Sequence, residues 1–233
     1  MDVSQVSSIF DIDMEWGIMV RETFYTKYIK GLIDRVFGIL GLIGLSWLFL
    51  LIAVAIYVDD PGPILFKQRR IGKNQDGKKT YFEIYKFRTM KVSTPELPTH
   101  LLENPEQYIT RVGRVLRKTS MDELPQLWNI GITHSLALIG PRPGLWSQDN
   151  LWEEREKYGA NDVMPGLTGW AQINGRDELE IEDKARLDGE YVQNMSFVFD
   201  VKCFVETIFS VLRSDGVVEG GTGSLKKRKG TRF

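Results

Sequence analysis

Two adjacent acids stand among cations in the segment Arg117-Lys118-Thr119-Ser120-Met121-Asp122-Glu123-Leu124-Pro125-Gln126. A carboxylate in such surroundings can attack phosphorus and form an acyl phosphate. Its own charge repels a phosphorylated substrate unless arginines or a divalent cation intervene. Arg117 is near in sequence, and Asp122 and Glu123 together could share a Mg2+. The same residues also have a structural reading. Ser120 and Glu123 have the spacing of a capping box, and Asp122 alone fits an N-cap. With Asp122 as the cap, Pro125 falls in the first helical turn, where no intrahelical donor is lost. A helix start also welcomes phosphate oxygens at its free N–H groups. On local evidence alone the capping reading of Asp122 comes first, with chemistry as the alternative.

Arg142 is clamped between Pro141 and Pro143, and the following proline restricts its backbone. A guanidinium held in this way suits a planar, bidentate contact to phosphate, the alternative being a solvated surface turn. Pro165 to Trp170 and Asn174-Gly175-Arg176 read as turns by composition, with a nucleotide-binding loop as their functional alternative. Asp11-Ile12-Asp13 has the letters of an Asp-x-Asp metal motif but no strand ahead of it, and reads as chance. The sequence has no Gly-x-x-x-x-Gly-Lys phosphate loop and no Gly-x-Ser-x-Gly elbow.

Such groups must be held somewhere, and the chain supplies a place. Val36 to Val58 is a run of 23 residues without a charge, against the roughly 20 that cross a hydrocarbon core as a helix. It starts too late and runs too long for a cleavable signal peptide. Basic residues flank it on both sides: Arg21, Lys27, Lys30 and Arg35 before, Lys67, Arg69, Arg70 and Lys73 after. The positive-inside rule favours cytoplasm for each flank, which suggests a re-entrant helix. Such a helix needs a break whose freed backbone groups find partners. Gly38, Gly41, Gly44 and Ser46 are candidates for that break. The competing reading is a straight spanning helix whose small residues serve packing.

The 233 residues carry a net charge of −1, so no global field speaks for or against nucleic acid. The basic residues cluster at Lys67–Lys79, Arg111–Lys118 and Lys226–Arg232. One cysteine, Cys203, excludes an internal disulfide, and two histidines are too few and isolated for structural zinc. Beyond Asp59-Asp60-Pro61-Gly62-Pro63, which ends the apolar helix, Ile64–Phe66 and Tyr81–Tyr85 read as strands around a turn at Gly72–Lys79. Val92–Gln107 reads as a loop. Ile109, Val112, Val115 and Leu116 share a helical face opposite basic residues, which fits either an interfacial helix or a core-packed one. Leu136–Ile139 reads as a buried strand, Phe197–Leu212 as a helix, and the tail from Ser214 as disordered.

In order along the chain, these pieces resemble the bacterial sugar transferase family, the monotopic phosphoglycosyl transferases. The matching segments are Gln68-x-Arg70-x-Gly72, Tyr85-Lys86-Phe87-Arg88-Thr89-Met90, Arg117 to Gln126, Gly140-Pro141-Arg142-Pro143, and Pro165 to Arg176. Leu187-Asp188 with Tyr191 and Ser196-Phe197 continue the pattern. The resemblance runs from about Lys30 to Leu212. It implies an α+β fold: an N-terminal re-entrant membrane helix, interfacial amphipathic helices, and a small mixed α/β catalytic domain on the cytoplasmic face of the bacterial inner membrane. The expected division is a leader at 1–29, the membrane-inserted helix at 30–60, the catalytic domain at 61–213 and a basic tail at 214–233. The implied reaction moves a sugar 1-phosphate from a UDP-sugar to undecaprenyl phosphate and releases UMP, with Mg2+. Asp122 is then the nucleophile and Glu123 its acidic partner at the metal. Arg117, Arg142, Lys86, Arg88, Gln172 and Arg176 are phosphate or nucleotide contacts. No nucleic acid partner is expected, and a homodimer is the one assembly considered.

The chain departs from the family at three points. Ser46-Trp47-Leu48 stands where the family has Ser-Pro at the helix break. Gly131-Ile132-Thr133-His134-Ser135-Leu136 lacks the family's acid before Met-Ser. The residues before Lys30 have no family counterpart, and the multi-span N-terminal region of longer relatives is absent, which makes this the minimal form. Two rival readings remain: an inverting lipid glycosyltransferase that uses Asp122 as general base and releases UDP, and a catalytically silent membrane adaptor.

Overall fold

The computed structural model describes residues 22–95, 104–175 and 179–213. Most of the leader, Asp11 and Asp13, Arg176 and the basic tail lie outside them. A π-helical turn, Tyr25–Ile29, runs into α1 (Lys30–Gly44), followed by α2 (Ser46–Asp59). No single helix among the described residues is long and apolar enough to cross a membrane. Tyr25–Gly44 and Ser46–Asp59 reach that length and composition only as a pair, bent by 61°. The straight helix is therefore not what forms.

The bend sits at Leu45, and backbone groups close it. Leu45 N–H donates to Gly41 O and Phe49 N–H to Leu45 O, each at 3.0 Å, so both backbone groups of Leu45 itself stay paired through the bend. No side chain caps the start of α2. Gly38 has a different job. A Cβ on it would stand 2.5 Å from the Gly131 nitrogen, so the two backbones touch where α1 crosses α4 (Gln126–Gly131). Only glycine permits that approach.

On α2, Ile52 and Ile56 are buried against Phe87 and Leu116, while Trp47, Leu50, Leu51, Val54 and Val58 are exposed. Lys30, read above as a flanking cation, is buried: its Nζ lies 2.6 Å from Asp200 Oδ2. The Tyr25 and Tyr191 hydroxyls donate to the same carboxylate at 2.6 and 2.7 Å. Lys30 is thus a tie between the start of α1 and the C-terminal helix, which removes one charge from the orientation argument.

Two small sheets follow. β1 (Leu65–Ile71) and β2 (Tyr81–Phe87) form an antiparallel ribbon, with Leu65 opposite Phe87 and Ile71 opposite Tyr81. The ribbon extends through Lys67, Arg69 and Arg70, further than the apolar run Ile64–Phe66 implies. An exposed two-stranded ribbon tolerates those polar residues. A 3-10 turn, Pro105–Tyr108, precedes α3 (Arg111–Lys118). In α3, Leu116 is buried and Val115 is 60% exposed, so the apolar face is split between core and surface.

Beyond α4, β3 (Ala137–Ile139) leads through α5 (Asp149–Glu156) to β4 (Gly166–Thr168), which pairs with β3 in parallel. A parallel pair needs a crossover of this kind. The turn expected at Pro165–Trp170 is therefore a strand running into α6 (Trp170–Ile173). α7 (Ile181–Asn194) and α8 (Phe197–Arg213) complete the fold. Ile139, Val163, Tyr191, Val192 and Cys203 form the core between β3 and these helices.

Candidate active site

The acid pair does not begin a helix. Ser120 takes a left-handed conformation (φ 56°) after α3 and turns the chain into a 3-10 turn, Met121–Glu123. α4 starts afterwards, at Gln126, with Pro125 as its N-cap and no side-chain capping bond. Neither the capping box nor the Asp122 cap is made, because this extra turn separates the acids from α4. Pro125 still loses no donor, as expected. The capping explanation of Asp122 falls away.

β2 delivers the first cation. Buried Asn129 on α4 accepts from Tyr85 N–H (3.1 Å) and donates to Glu83 O (2.7 Å), so it fixes α4 beside β2. The next residue, Lys86, then reaches Glu123 Oε1 at 2.8 Å. The segment Gly140–Gly144 delivers the second cation. Arg142 Nη1 donates to Glu123 Oε2 at 3.1 Å and to Leu167 O at 2.8 Å, and its Nη2 donates to Glu123 Oε1. This is the bidentate carboxylate fork that guanidinium geometry favours.

The two carboxyls therefore differ. Burial pushes Glu123 up, but Arg142 and Lys86 outweigh it and hold the group well below the ordinary carboxylate range. Asp122 moves the other way: burial raises it, Lys86 pulls it down, Glu123 adds to the rise, and Arg117 and Arg142 oppose it. Among the described residues no hydrogen bond is donated to the Asp122 carboxylate. It is the uncommitted acid of the pair.

Arg117 is braced by a bond from its Nε to Thr89 Oγ1 (2.9 Å) and acts on Asp122 through its charge. Arg88 is placed elsewhere. It is buried, with Nη1 2.6 Å from Asp60 Oδ2 and Nη2 on the Asp60 carbonyl. Asp60 also accepts Val92 N–H at 2.8 Å, and Asp59 accepts Val112 N–H at 2.8 Å. The acidic pair at the end of α2 thus ties the apolar helices to the catalytic half. Sequence reasoning took it only as a helix end, although two acids before Pro-Gly-Pro were the available signal. Gln172 lies on α6 with Oε1 buried and unpartnered, one turn beyond the strand that holds Arg142. Arg176 lies outside the described residues.

Among the described residues no group of three or more His, Cys, Asp or Glu side chains is placed to hold a metal. Mg2+ often takes one or two carboxylates and completes its shell with water and substrate phosphates. Asp122 fits that pattern. Glu123, with both oxygens engaged by Arg142 and Lys86, would join the shell only by releasing one of them.

Residues 25–214 match the family model for bacterial sugar transferase. The chain belongs to that family. It is 40% identical over 189 residues to the uncharacterized sugar transferase EpsL of Bacillus subtilis (strain 168), which covers 81% of this chain and 90% of that one. It is 36% identical over 215 residues to the exopolysaccharide production protein ExoY of Sinorhizobium fredii, 84% of this chain and 92% of ExoY. Over 216 residues it is 33% identical to the UDP-glucose:undecaprenyl-phosphate glucose-1-phosphate transferase of Xanthomonas campestris pv. campestris. That match covers 89% of this chain but only 43% of the Xanthomonas protein.

Proposed function

We propose that the protein transfers a sugar 1-phosphate from a UDP-sugar to undecaprenyl phosphate and releases UMP. The observation that carries this reading is the division of labour in the acid pair: Glu123 is consumed by Arg142 and Lys86, while Asp122 is left uncommitted within their field. A Xanthomonas relative named for this class of reaction supports it.

In the proposed sequence, an Asp122 oxygen attacks the phosphorus that carries the sugar. The bond from that phosphorus to the UMP oxygen breaks, and UMP leaves with the electron pair. The acceptor's phosphate oxygen then attacks the same phosphorus, the acyl phosphate bond breaks, and the carboxylate is restored. Arg142 and Lys86 neutralise charge on the non-bridging oxygens, and Lys86 and then Arg117 oppose the effect of burial on Asp122. Asp122 is the residue that would hold Mg2+, which when bound supplies charge neutralisation at the diphosphate.

The apolar pair α1–α2 is read as a re-entrant hairpin that holds the catalytic half on the cytoplasmic face. The 61° bend, the exposed apolar residues of α2 and the need to meet soluble UDP-sugars support this. Glu22→Cys and Gln75→Cys, labelled singly in intact cells with an impermeant thiol reagent, test it. Buried Cys203 is out of the reagent's reach. Both positions should stay unlabelled, whereas labelling at residue 22 alone would establish a span.

The reaction itself is tested with purified protein, Mg2+, undecaprenyl phosphate and a panel of UDP-glucose, UDP-galactose and UDP-N-acetylgalactosamine. UMP is the expected nucleotide. UDP as sole product would replace this reading with an inverting glycosyltransferase.

A further inference from the structure

The segment Pro141-Arg142-Pro143-Gly144 has an unusual hydrogen-bonding problem. Its two prolines have no N–H, so the backbone can be fixed mainly through its carbonyls. All four are taken, by donors from three other elements, β1, β4 and α5. Pro141 O accepts from Gly166 N–H at 2.9 Å, and Gly144 O accepts from Ile71 N–H at 3.0 Å. Pro143 O accepts from Arg70 Nη1 at 3.1 Å. The carbonyl of Arg142 itself accepts from Arg155 Nη2 at 2.9 Å.

Arg155 is an expensive donor for that purpose. It lies on α5 and its side chain is only 6% exposed, and its counter-ion on α7, Asp188, is 1% exposed. Arg155 Nε and Nη2 both donate to Asp188 Oδ2, at 2.8 and 2.5 Å. Burial raises Asp188 against the lowering effect of Arg155, and Asp188 Oδ1 has no hydrogen-bond partner. A buried ion pair of this kind gives no more stability than a well-packed apolar pair of similar volume, and often less. What an apolar pair cannot give is a donor held in a fixed plane against the Arg142 carbonyl.

We infer that Arg155 and Asp188 are positioning residues for the transfer. Asp188 fixes the plane of the Arg155 guanidinium, Arg155 fixes the Arg142 peptide, and the Arg142 side chain is thereby aimed at Glu123 and at the donor's diphosphate. The inference rests on the reading that Arg142 contacts that diphosphate. A small displacement of such a group is enough to lower the rate about ten- to a hundredfold. Neither residue touches substrate.

The test is a set of variants in the full-length protein, each assayed for nucleotide release and for melting temperature. Arg155→Met with Asp188→Leu replaces the pair by apolar groups and leaves no buried charge. It should melt within a few degrees of the parent and lose about ten- to a hundredfold in kcat/KM. Arg155→Lys keeps a charge for Asp188 but not the planar fork, and should lose activity without losing the fold. The deciding measurement is the same double change in an Arg142→Ala background. Residues that act through one another are not additive, so the change should then have almost no further effect. Additive losses would overturn the inference, as would full activity in the folded apolar variant, or an apolar variant that does not fold. The coupling is read on whichever nucleotide is released. UDP in place of UMP would therefore defeat the proposed reaction and leave this test standing.

Discussion

The two sides of the site are held in different ways. The acid side, Thr119–Leu124, has a thin backbone: a left-handed Ser120 and 3-10 bonds of 3.3 Å (Glu123 N–H to Ser120 O) and 3.2 Å (Leu124 N–H to Met121 O). Its position is set by charge, through Lys86 and Arg142 on Glu123. The arginine side, Pro141–Gly144, is set by its backbone, with four consecutive carbonyls engaged. One half of the site should therefore respond to charge and pH, and the other to donors buried behind it. This difference is useful chemically. In the proposed reaction, a nucleophile not locked by hydrogen bonds would stay reactive, while the arginine that would contact the phosphate stays fixed.

The strongest way to break this contrast is Asp122→Asn. Turnover should fall by at least about a thousandfold, on the scale seen when a covalent nucleophile is removed. Stability should move the opposite way. Because the folded Asp122 is raised, its ionised form opposes folding. The stability it contributes is present below the unfolded value, about 3.9, and lost as pH rises through the folded one. The asparagine variant should melt higher than the parent at neutral pH, with the gap closing in acid. Melting curves from pH 7 to pH 4 check this.

Glu123→Gln is next and has the reverse sign. Activity should fall about ten- to a hundredfold as Lys86 and Arg142 lose their shared anchor. About 1–3 kcal/mol of stability should go with it at neutral pH. Because the folded Glu123 is lowered, its contribution is complete above the unfolded value, about 4.3, and is lost as pH falls through the folded one. Parent and variant should converge in acid. Denaturant titrations at pH 7 and pH 3.5 check the sign: the gap should be smaller at pH 3.5, where Glu123 is largely protonated in the unfolded chain but still ionised in the folded one.

The smallest expected effect sharpens the contrast. Ser120→Gly removes a left-handed penalty of about 1–2 kcal/mol but adds unfolded-chain entropy. The net change should stay within about 1 kcal/mol. Turnover should be nearly unchanged, because the acids are placed by their ionic partners. A large loss of turnover without loss of fold would show that the turn's backbone governs them instead.

How much of this was legible in the sequence depended on whether the signal was local. Residue type and neighbours singled out Asp122, Glu123 and Arg142, and family motifs supplied Lys86. The apolar run announced a membrane-length element, but its bend at Leu45 carries no proline or side-chain cap that a reader could find. Gly166–Thr168 has the composition of a turn and becomes a strand only because Ala137–Ile139 lies alongside it after a long crossover. Lys30 looked like a flanking cation because its partner Asp200 lies 170 residues away. Arg88 sat in a family motif with Lys86, yet the fold turns one toward Glu123 and the other toward Asp60. Lys86 lies on β2 but Arg88 is one residue past its end, so strand alternation does not carry from one to the other and could not name their partners.

The central claim is that Asp122 carries the sugar phosphate. It is tested most directly by incubating the protein with its UDP-sugar and Mg2+ in the absence of lipid acceptor, then measuring intact mass and mapping the labelled peptide. The account predicts one added sugar phosphate on the peptide that contains Asp122, one equivalent of UMP released, and loss of the adduct when undecaprenyl phosphate is added. UMP that appears only when acceptor is present, with no adduct on Asp122 at any time, would contradict it.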